Sequence, residues 1–389
     1  MMLNPEDVSV EGDDGETVVE PMTPDQLAET KRYNQQDLIC NLVDQAVDIV
    51  FLAVVAFFVA RPLDLWLQDH WSLTNSWFRL AAIYLLVTVL HYLFSFPLSF
   101  YSGHLLEHKF GMSNQTLRQW FWRYGKGVLL TLLFGLLMAE TLFVIIWLTG
   151  AYWWLAAAGI FFVVSIVLGQ LAPVLILPLF YKIEPLEDIQ LSERLAKLAE
   201  GTGLSIEGVY RMVLSEETVK ANAMLAGLGS TRRVIMGDTL LDQFSEEEIE
   251  VVFAHEIGHH VHRHIRSLLL LGATLSICVF FACHVLIGIW LDNPGWPVEL
   301  PVYVLPMLTF VTTVLFLLFS PLQNAISRHF ERQSDSYALR HTENRTAYRS
   351  AFTKLARINK DDPDPHPLEV FWLHSHPPIS ERIGMADRV

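Results

Sequence analysis

Cysteine is scarce in this chain. Cys40, Cys278 and Cys283 are the only three among 389 residues. That number excludes a disulfide framework and a cysteine-built zinc cluster, and the three read as small apolar fillers. Charge is scarce too. Only 18% of residues are Asp, Glu, Lys or Arg, where a soluble protein carries about a quarter. Positive charge is the rarer sign, with 27 Lys and Arg against 42 Asp and Glu and a net charge of −15. No nucleic-acid-binding surface is implied. The acidic, polar N-terminus lacks the pattern of a cleavable signal peptide, so the first spanning helix is expected to direct insertion.

The chain is rich in apolar length instead. It is 52% hydrophobic with a mean hydropathy of +0.34. Six segments are long enough to cross a bilayer: 45–66, 80–100, 127–149, 152–176, 267–291 and 301–321. Pro173 and Pro178 are expected to kink or end the fourth. Residues 1–26 read as a disordered acidic tail, and Asp25 to Cys40 as a short surface helix. Asp48, His91, Glu140, Gln170 and His284 lie within the spans and are expected to face the bundle or a watery cavity. Lys109, Arg118, Arg123 and Lys126 mark 103–126 as cytoplasmic, whereas 292–300 carries Asp292 and Glu299 and no base. Alternation then puts both termini, and the polar region 181–266, in the cytoplasm.

Within 181–266 the pattern gives a helix over Leu191–Gly201. Strands are expected at Val209–Leu214, Ala221–Gly229 and Arg233–Met236, the last two around a Gly229-Ser230 turn. Ser245, followed by three glutamates, reads as the N-cap of a further helix. That helix carries His255-Glu256-Ile257-Gly258-His259. Residues four apart differ by about 400° of rotation and about 6 Å of rise, so His255 and His259 share a face and can hold one Zn²⁺. Glu256 beside them is placed to take a proton from the attacking water. His260, His262 and His264 read as rim or supporting residues rather than ligands.

A catalytic zinc needs a third protein ligand. Glu331 is the candidate, on a helical stretch just past the last span and on the same side as the zinc helix. Arg328 and Asp335 share its face. Asp335 is expected to hydrogen-bond the far nitrogen of a ligand histidine, and Arg328 to orient the carboxylates. A surface ion-pair ladder is the plainer reading of the same three residues. For the developing oxyanion the candidate donor is His376, beside Pro377-Pro378, with His374 and Arg382 as alternatives.

These residues resemble peptidase family M48, and within it the CAAX prenyl protease type 1 (Ste24-like) branch. His255 to His259 resembles the family's HExxH. Asn324, Ser327, Arg328, Glu331 and Asp335 resemble its NxxSRxxExxxD block, and His376-Pro377-Pro378 with Glu381-Arg382-Ile383 its C-terminal segment. Glu107 to Gly111 with Asn114-Gln115-Thr116 resembles a loop of the N-terminal domain. Asn222, Ala223 and Gly227 resemble the edge strand that holds substrate main chain, and Asp238 to Leu241 the segment before the zinc helix. The chain departs from the eukaryotic pattern in lacking a first span, in Leu106 before Glu107 and in Ser334 before Asp335.

The resemblance implies a mainly α, polytopic helical membrane protein with an intramembrane chamber and a zincin-like catalytic unit. It implies a membrane domain over 27–180 with four spans and a peptidase domain over 181–389 with two more. Glu331 is then the third zinc ligand, Asp335 and Arg382 support the site, and His376 stabilises the transition state. One Zn²⁺ per chain is expected, with membrane-associated peptides as substrates, including prenylated CAAX proteins. No obligate partner is evident. The expected location is the plasma membrane of a bacterium or the endoplasmic reticulum of a eukaryote. The alternatives are a quality-control protease without prenyl substrates and a non-catalytic zinc-stabilised scaffold.

Overall fold

The computed structural model describes residues 9–11, 17–19, 21–71, 73–204, 207–227, 232–292 and 300–388. Most of the expected disordered tail, the Gly229-Ser230 turn and nearly all of the acidic loop 292–300 lie outside them. Two short strands are described within the tail. Ser9–Glu11 (β1) and Thr17–Val19 (β2) pair antiparallel.

Thr23 and Gln26 form a reciprocal capping box that starts α1, Pro24–Val54. Asp25 to Cys40, expected as a short surface helix, is the first part of α1 and continues into the first span. α1 passes through a π-helical turn, Val55–Val59, straight into α2, Ala60–Trp71. This run of 48 residues is about 70 Å long, more than twice the hydrocarbon thickness of about 30 Å, so much of it stands outside the bilayer. Asn75 caps α3, Ser76–Phe100, which continues through a π turn into α4, Glu107–Lys109. A second capping box, Thr116 with Gln119, starts α5, Leu117–Thr149.

Five helical runs among the described residues are long and apolar enough to cross a membrane. Six separate spans were expected. The third run, Leu117–Leu179, holds two of them, α5 and α6, Trp153–Leu171. The chain reverses at Gly150, whose φ of 53° suits glycine. The reversal is fixed at the far end as well. Arg123 Nη1 donates to Phe180 O at 3.2 Å and Lys126 Nζ to Leu179 O at 2.6 Å, so the two legs lie side by side. After Leu171 the path loosens through a π turn that holds Pro173.

The membrane part is apolar outside as well as inside. Phe58, Leu133, Leu270 and Ile289 are well exposed on its surface. Such a belt is stable only against lipid, and the chain is a multi-pass membrane protein. Inside, Phe143, Ile146, Trp153, Val279, Cys283 and Ile287 pack in one buried cluster. Asp48 and His91 pair at 2.6 Å across α1 and α3. Gln170, expected to face the bundle or a watery cavity, is not buried in the bundle.

The second half forms a four-stranded sheet, a layer of helices and the last two membrane helices. The strands are β3, Ile183–Pro185; β4, Gly208–Met212; β5, Ala223–Ala226; and β6, Arg233–Gly237. Their order is β3-β4-β6-β5, with β4 parallel to β6 and the other pairs antiparallel. β5 is therefore an edge. The helices are α7, Ile189–Ala199; α8, Asp238–Leu241; α9, Glu246–Val261; α10, His264–Trp290; α11, Leu305–Thr342; α12, Arg345–Asn359; α13, Pro367–Leu373; and α14, Ile379–Met385. α9 lies in the middle, buried by Val251, Phe253, Ala254 and Ile257 against Leu195, Met236, Ala338 and Tyr348.

Candidate metal centre

α9 forms where it does because its start is closed. Ser245 Oγ accepts from Glu248 N at 3.3 Å and Glu248 returns the bond to Ser245 N at 2.8 Å. Three glutamates in the first turn oppose the positive helix end. Lys354 Nζ, 2.7 Å from Glu248, ties this end to α12. α11 is the partner that completes the centre. It crosses the membrane, continues without a break and lies against α9. The contact is possible because Gly258 has no side chain: a Cβ there would stand 2.8 Å from Ser334 Cα.

This packing brings three ligand atoms together. His255 Nε2 is 3.2 Å from Glu331 Oε2, His259 Nε2 is 3.3 Å from Glu331 Oε1, and the two Nε2 atoms are 3.2 Å apart. A tetrahedron with arms of about 2.0–2.1 Å has edges of about 3.3–3.4 Å. The separations thus fit one metal ion with two imidazoles and a carboxylate. Glu331 Oε2 points the same way. It is buried and makes no well-formed hydrogen bond among the described residues, with His255 Nε2 at 3.2 Å, His376 Nε2 at 3.5 Å and Arg382 Nη2 at 3.7 Å around it, so a lone pair is left for a metal ion.

The ligands are held from behind. His255 Nδ1 lies 2.8 Å from Asp335 Oδ1. Arg382 clamps the same carboxylate, Nε to Oδ2 at 2.9 Å and Nη2 to Oδ1 at 2.7 Å. The guanidinium lies 4.1 Å from the Phe352 ring centroid. Burial alone would lower the His255 pKa, but the Asp335 carboxylate outweighs it and the ring is pushed up to about 9. On the open side, burial raises the Glu256 carboxyl, while the two histidines and the Leu225 backbone pull it back. A base tuned upward suits proton transfer near neutral pH.

The remaining expected residues divide. His376 Nε2 is 3.5 Å from Glu331 Oε2, and its side chain remains well exposed, so it faces open space beside the ligands. Partial desolvation by the surrounding protein, helped by the nearby Arg382 and His255, lowers its pKa. Arg382 commits its guanidinium to Asp335 and is a clamp rather than an oxyanion donor. Arg328 does not orient the carboxylates. Three residues before Glu331 places it about 60° round the helix, where Nη1 donates to Val370 O at 2.8 Å and His374 O at 2.6 Å. With Asn324 Nδ2, 2.7 Å from Trp372 O, it fixes the segment that leads to His376.

Asn222, Ala223 and Gly227 line the edge strand. Gly237 N donates to Asn222 O at 2.8 Å. Backbone groups alternate along a strand, so those of Ala223 and Leu225 point away from β6, towards the site. One feature escaped the sequence reading. Asn359 brackets Ala221, accepting from its N at 2.8 Å and donating to its O at 3.2 Å, and so pins the entry to β5; an Asn at a helix end carries no periodic signal. His264, expected as a supporting residue, lies against His259, with ring nitrogens 3.0 Å apart.

Comparison with known proteins follows this geometry. Residues 185–389 match the model of peptidase family M48. Residues 15–182 match that of the CAAX prenyl protease N-terminal region, described as five membrane helices. Over that stretch this chain has three helical runs, the third folded into two legs. An uncharacterized metalloprotease, YhfN, of Bacillus subtilis is 26% identical over 94% of this chain and 87% of its own length. CAAX prenyl protease 1 of Saccharomyces cerevisiae is 30% identical over 78% of this chain and 71% of its own. The crystal structure of S. mikatae Ste24p superposes with a TM-score of 0.83 at 24% identity, covering 94% of this chain and 90% of that one. The shared fold is mainly α and polytopic, with an intramembrane chamber and a zincin-like unit.

Proposed function

We propose, from the premise that this chain belongs to peptidase family M48, that it is a zinc-dependent endopeptidase cutting membrane-associated proteins. The observation that carries the reading is the meeting of Glu331, delivered by a membrane-crossing helix, with His255 and His259 at tetrahedral spacing. His255 Nε2, His259 Nε2 and the Glu331 carboxylate would hold one zinc ion. When bound, zinc supplies a Lewis acid that polarises the scissile carbonyl and acidifies the attacking water. Glu256 takes the proton from that water and passes it to the leaving amine. His376 donates to the developing oxyanion. Asp335 and Arg382 keep the His255 ring turned to the ion. Ala223 and Leu225 offer main-chain groups to an extended peptide, which adds as a strand to β5.

The substrate class follows from position. The site is completed by α11, a helix that leaves the bilayer directly, so peptides tethered at a membrane are the natural clients. Relatives named CAAX prenyl proteases support prenylated proteins among them. Membrane-protein quality control is the second reading and is favoured in a host without CAAX proteins. A non-catalytic scaffold would have no use for Glu256. The basic loop 103–126 supports cytoplasmic termini. The test is Glu256→Gln in purified protein: zinc retained and peptide hydrolysis lost is the expected result. Unchanged turnover would remove the base, and a parent protein without hydrolysis would favour the scaffold. Membrane proteomics of the same pair would name the substrate class through products that disappear.

A further inference from the structure

Asp335 orients His255, but His259 has no carboxylate behind it. Its Nδ1 meets another ring instead. α9 ends at Val261, and Arg263 takes a left-handed conformation, φ 57°, although it is not a glycine. Such backbone strain persists only where surrounding contacts impose it. Here it turns the chain so that α10 begins at His264 and that ring folds back under His259. His264 is 1% exposed. Its Nδ1 is 3.0 Å from His259 Nδ1, and its Nε2 is 2.8 Å from Gln333 Oε1. Phe330 stacks on it at 4.3 Å and 11°. Phe330 and Gln333 belong to the same turn of α11 that carries Glu331.

The donors and acceptors fit together in one direction. Gln333 turns its amide oxygen, an acceptor, to His264; in that orientation His264 carries its proton on Nε2 and offers a lone pair at Nδ1. His259 must then donate Nδ1–H to it, which leaves the lone pair of His259 on Nε2, the atom that faces Glu331 and His255. The opposite polarity would put the proton on His259 Nε2 and block a metal.

We propose that His264 and Gln333 form a second orienting arm of the metal centre, fixing the His259 tautomer as Asp335 fixes that of His255. The proposal rests on the zinc reading above. It makes His264 a positioning residue and gives α11 two duties at the site: a ligand at Glu331 and a tautomer anchor two residues on.

The test is zinc affinity of the purified protein, measured by competition with a chelator. Gln333→Leu removes the acceptor at nearly constant size, and Gln333 is half-buried, so the core is not emptied. Gln333→Glu keeps an acceptor that cannot donate when ionised. The arm predicts a 10- to 100-fold loss for Gln333→Leu, parent-like or tighter binding for Gln333→Glu, and a loss for His264→Ala. Proton-resolved nitrogen NMR of histidine should place the His259 proton on Nδ1 in the parent protein. Equal losses in the Leu and Glu variants, or no loss in either, would overturn the arm while leaving the zinc site standing. A parent protein that takes up no zinc would overturn both.

Discussion

Gly258 lies so close to Ser334 that a Cβ built on it would stand 2.8 Å from Ser334 Cα and 3.1 Å from Ser334 Cβ. Neither neighbour can yield, since Ser334 is fully buried and its Cα is main chain. Gly258→Ala should therefore force α9 away from α11 and part the histidines from Glu331. The expected cost is about 1–3 kcal/mol of stability, with a larger relative fall in zinc content. Metal analysis beside a melting curve checks this. A stably folded Ala variant with full zinc would show that the helices have room.

Glu256→Gln and Glu331→Ala should separate chemistry from binding. The first keeps every ligand and should lower turnover about 10²- to 10⁴-fold at unchanged zinc content. The second removes a ligand and should lower zinc content itself. Parallel metal analysis and peptide hydrolysis decide. Equal zinc in the Ala variant would mean that another group completes the cage.

Zinc binding should strengthen with pH through the neutral range. The Asp335 carboxylate keeps a proton on His255 up to about pH 9, and that proton must leave before Nε2 can bind a metal. Below that pH the apparent affinity should fall about tenfold per unit for this proton; above it the curve should level. Asp335→Asn removes the negative charge, so the slope should flatten near neutrality while peak affinity falls about 10- to 100-fold. Chelator competition from pH 6 to 9 reads both. An equally steep slope in the Asn variant would dismiss Asp335 as the cause.

Arg382→Ala should destabilise more than it disturbs catalysis directly. Arg382 and Asp335 are both buried; breaking a buried pair costs about 3–5 kcal/mol, and His255, still 2.8 Å from Asp335, places the expected loss at the lower end of that range. Denaturant unfolding measures this. A loss below about 1 kcal/mol would contradict the clamp.

Arg328→Ala should spare zinc and slow catalysis. The residue holds the Val370 and His374 carbonyls, not a ligand, so its loss loosens the path to His376. A misplacement of about 1 Å can cost about 10²-fold in rate. A fall in kcat at constant metal content is the expected split, whereas a loss of zinc would return Arg328 to the carboxylates.

Much of this was legible because it is periodic or local. The four-residue spacing of His255 and His259, the cap at Ser245 and the apolar runs each leave a trace over a few turns of helix. Position relative to the last span also singled out Glu331. What was hidden depends on contacts between distant segments. The direction in which Arg328 points is set by where α13 docks. The expected surface helix and the first span form a single helix, α1, because nothing in the polar stretch up to Cys40 stops it. β3 is too short, and ends in a proline, to announce a strand. Asn359 acts through two side-chain hydrogen bonds to Ala221, which no pattern of hydrophobicity records.

α11 runs in one piece from Leu305 to Thr342, so the element that feels the lipid is also the element that holds Glu331, Gln333 and Asp335. A thinner or thicker bilayer changes the tilt of such a rod, and the far end swings with it. Turnover in reconstituted vesicles should accordingly vary with acyl-chain length, making membrane thickness a setting of the enzyme rather than mere surroundings.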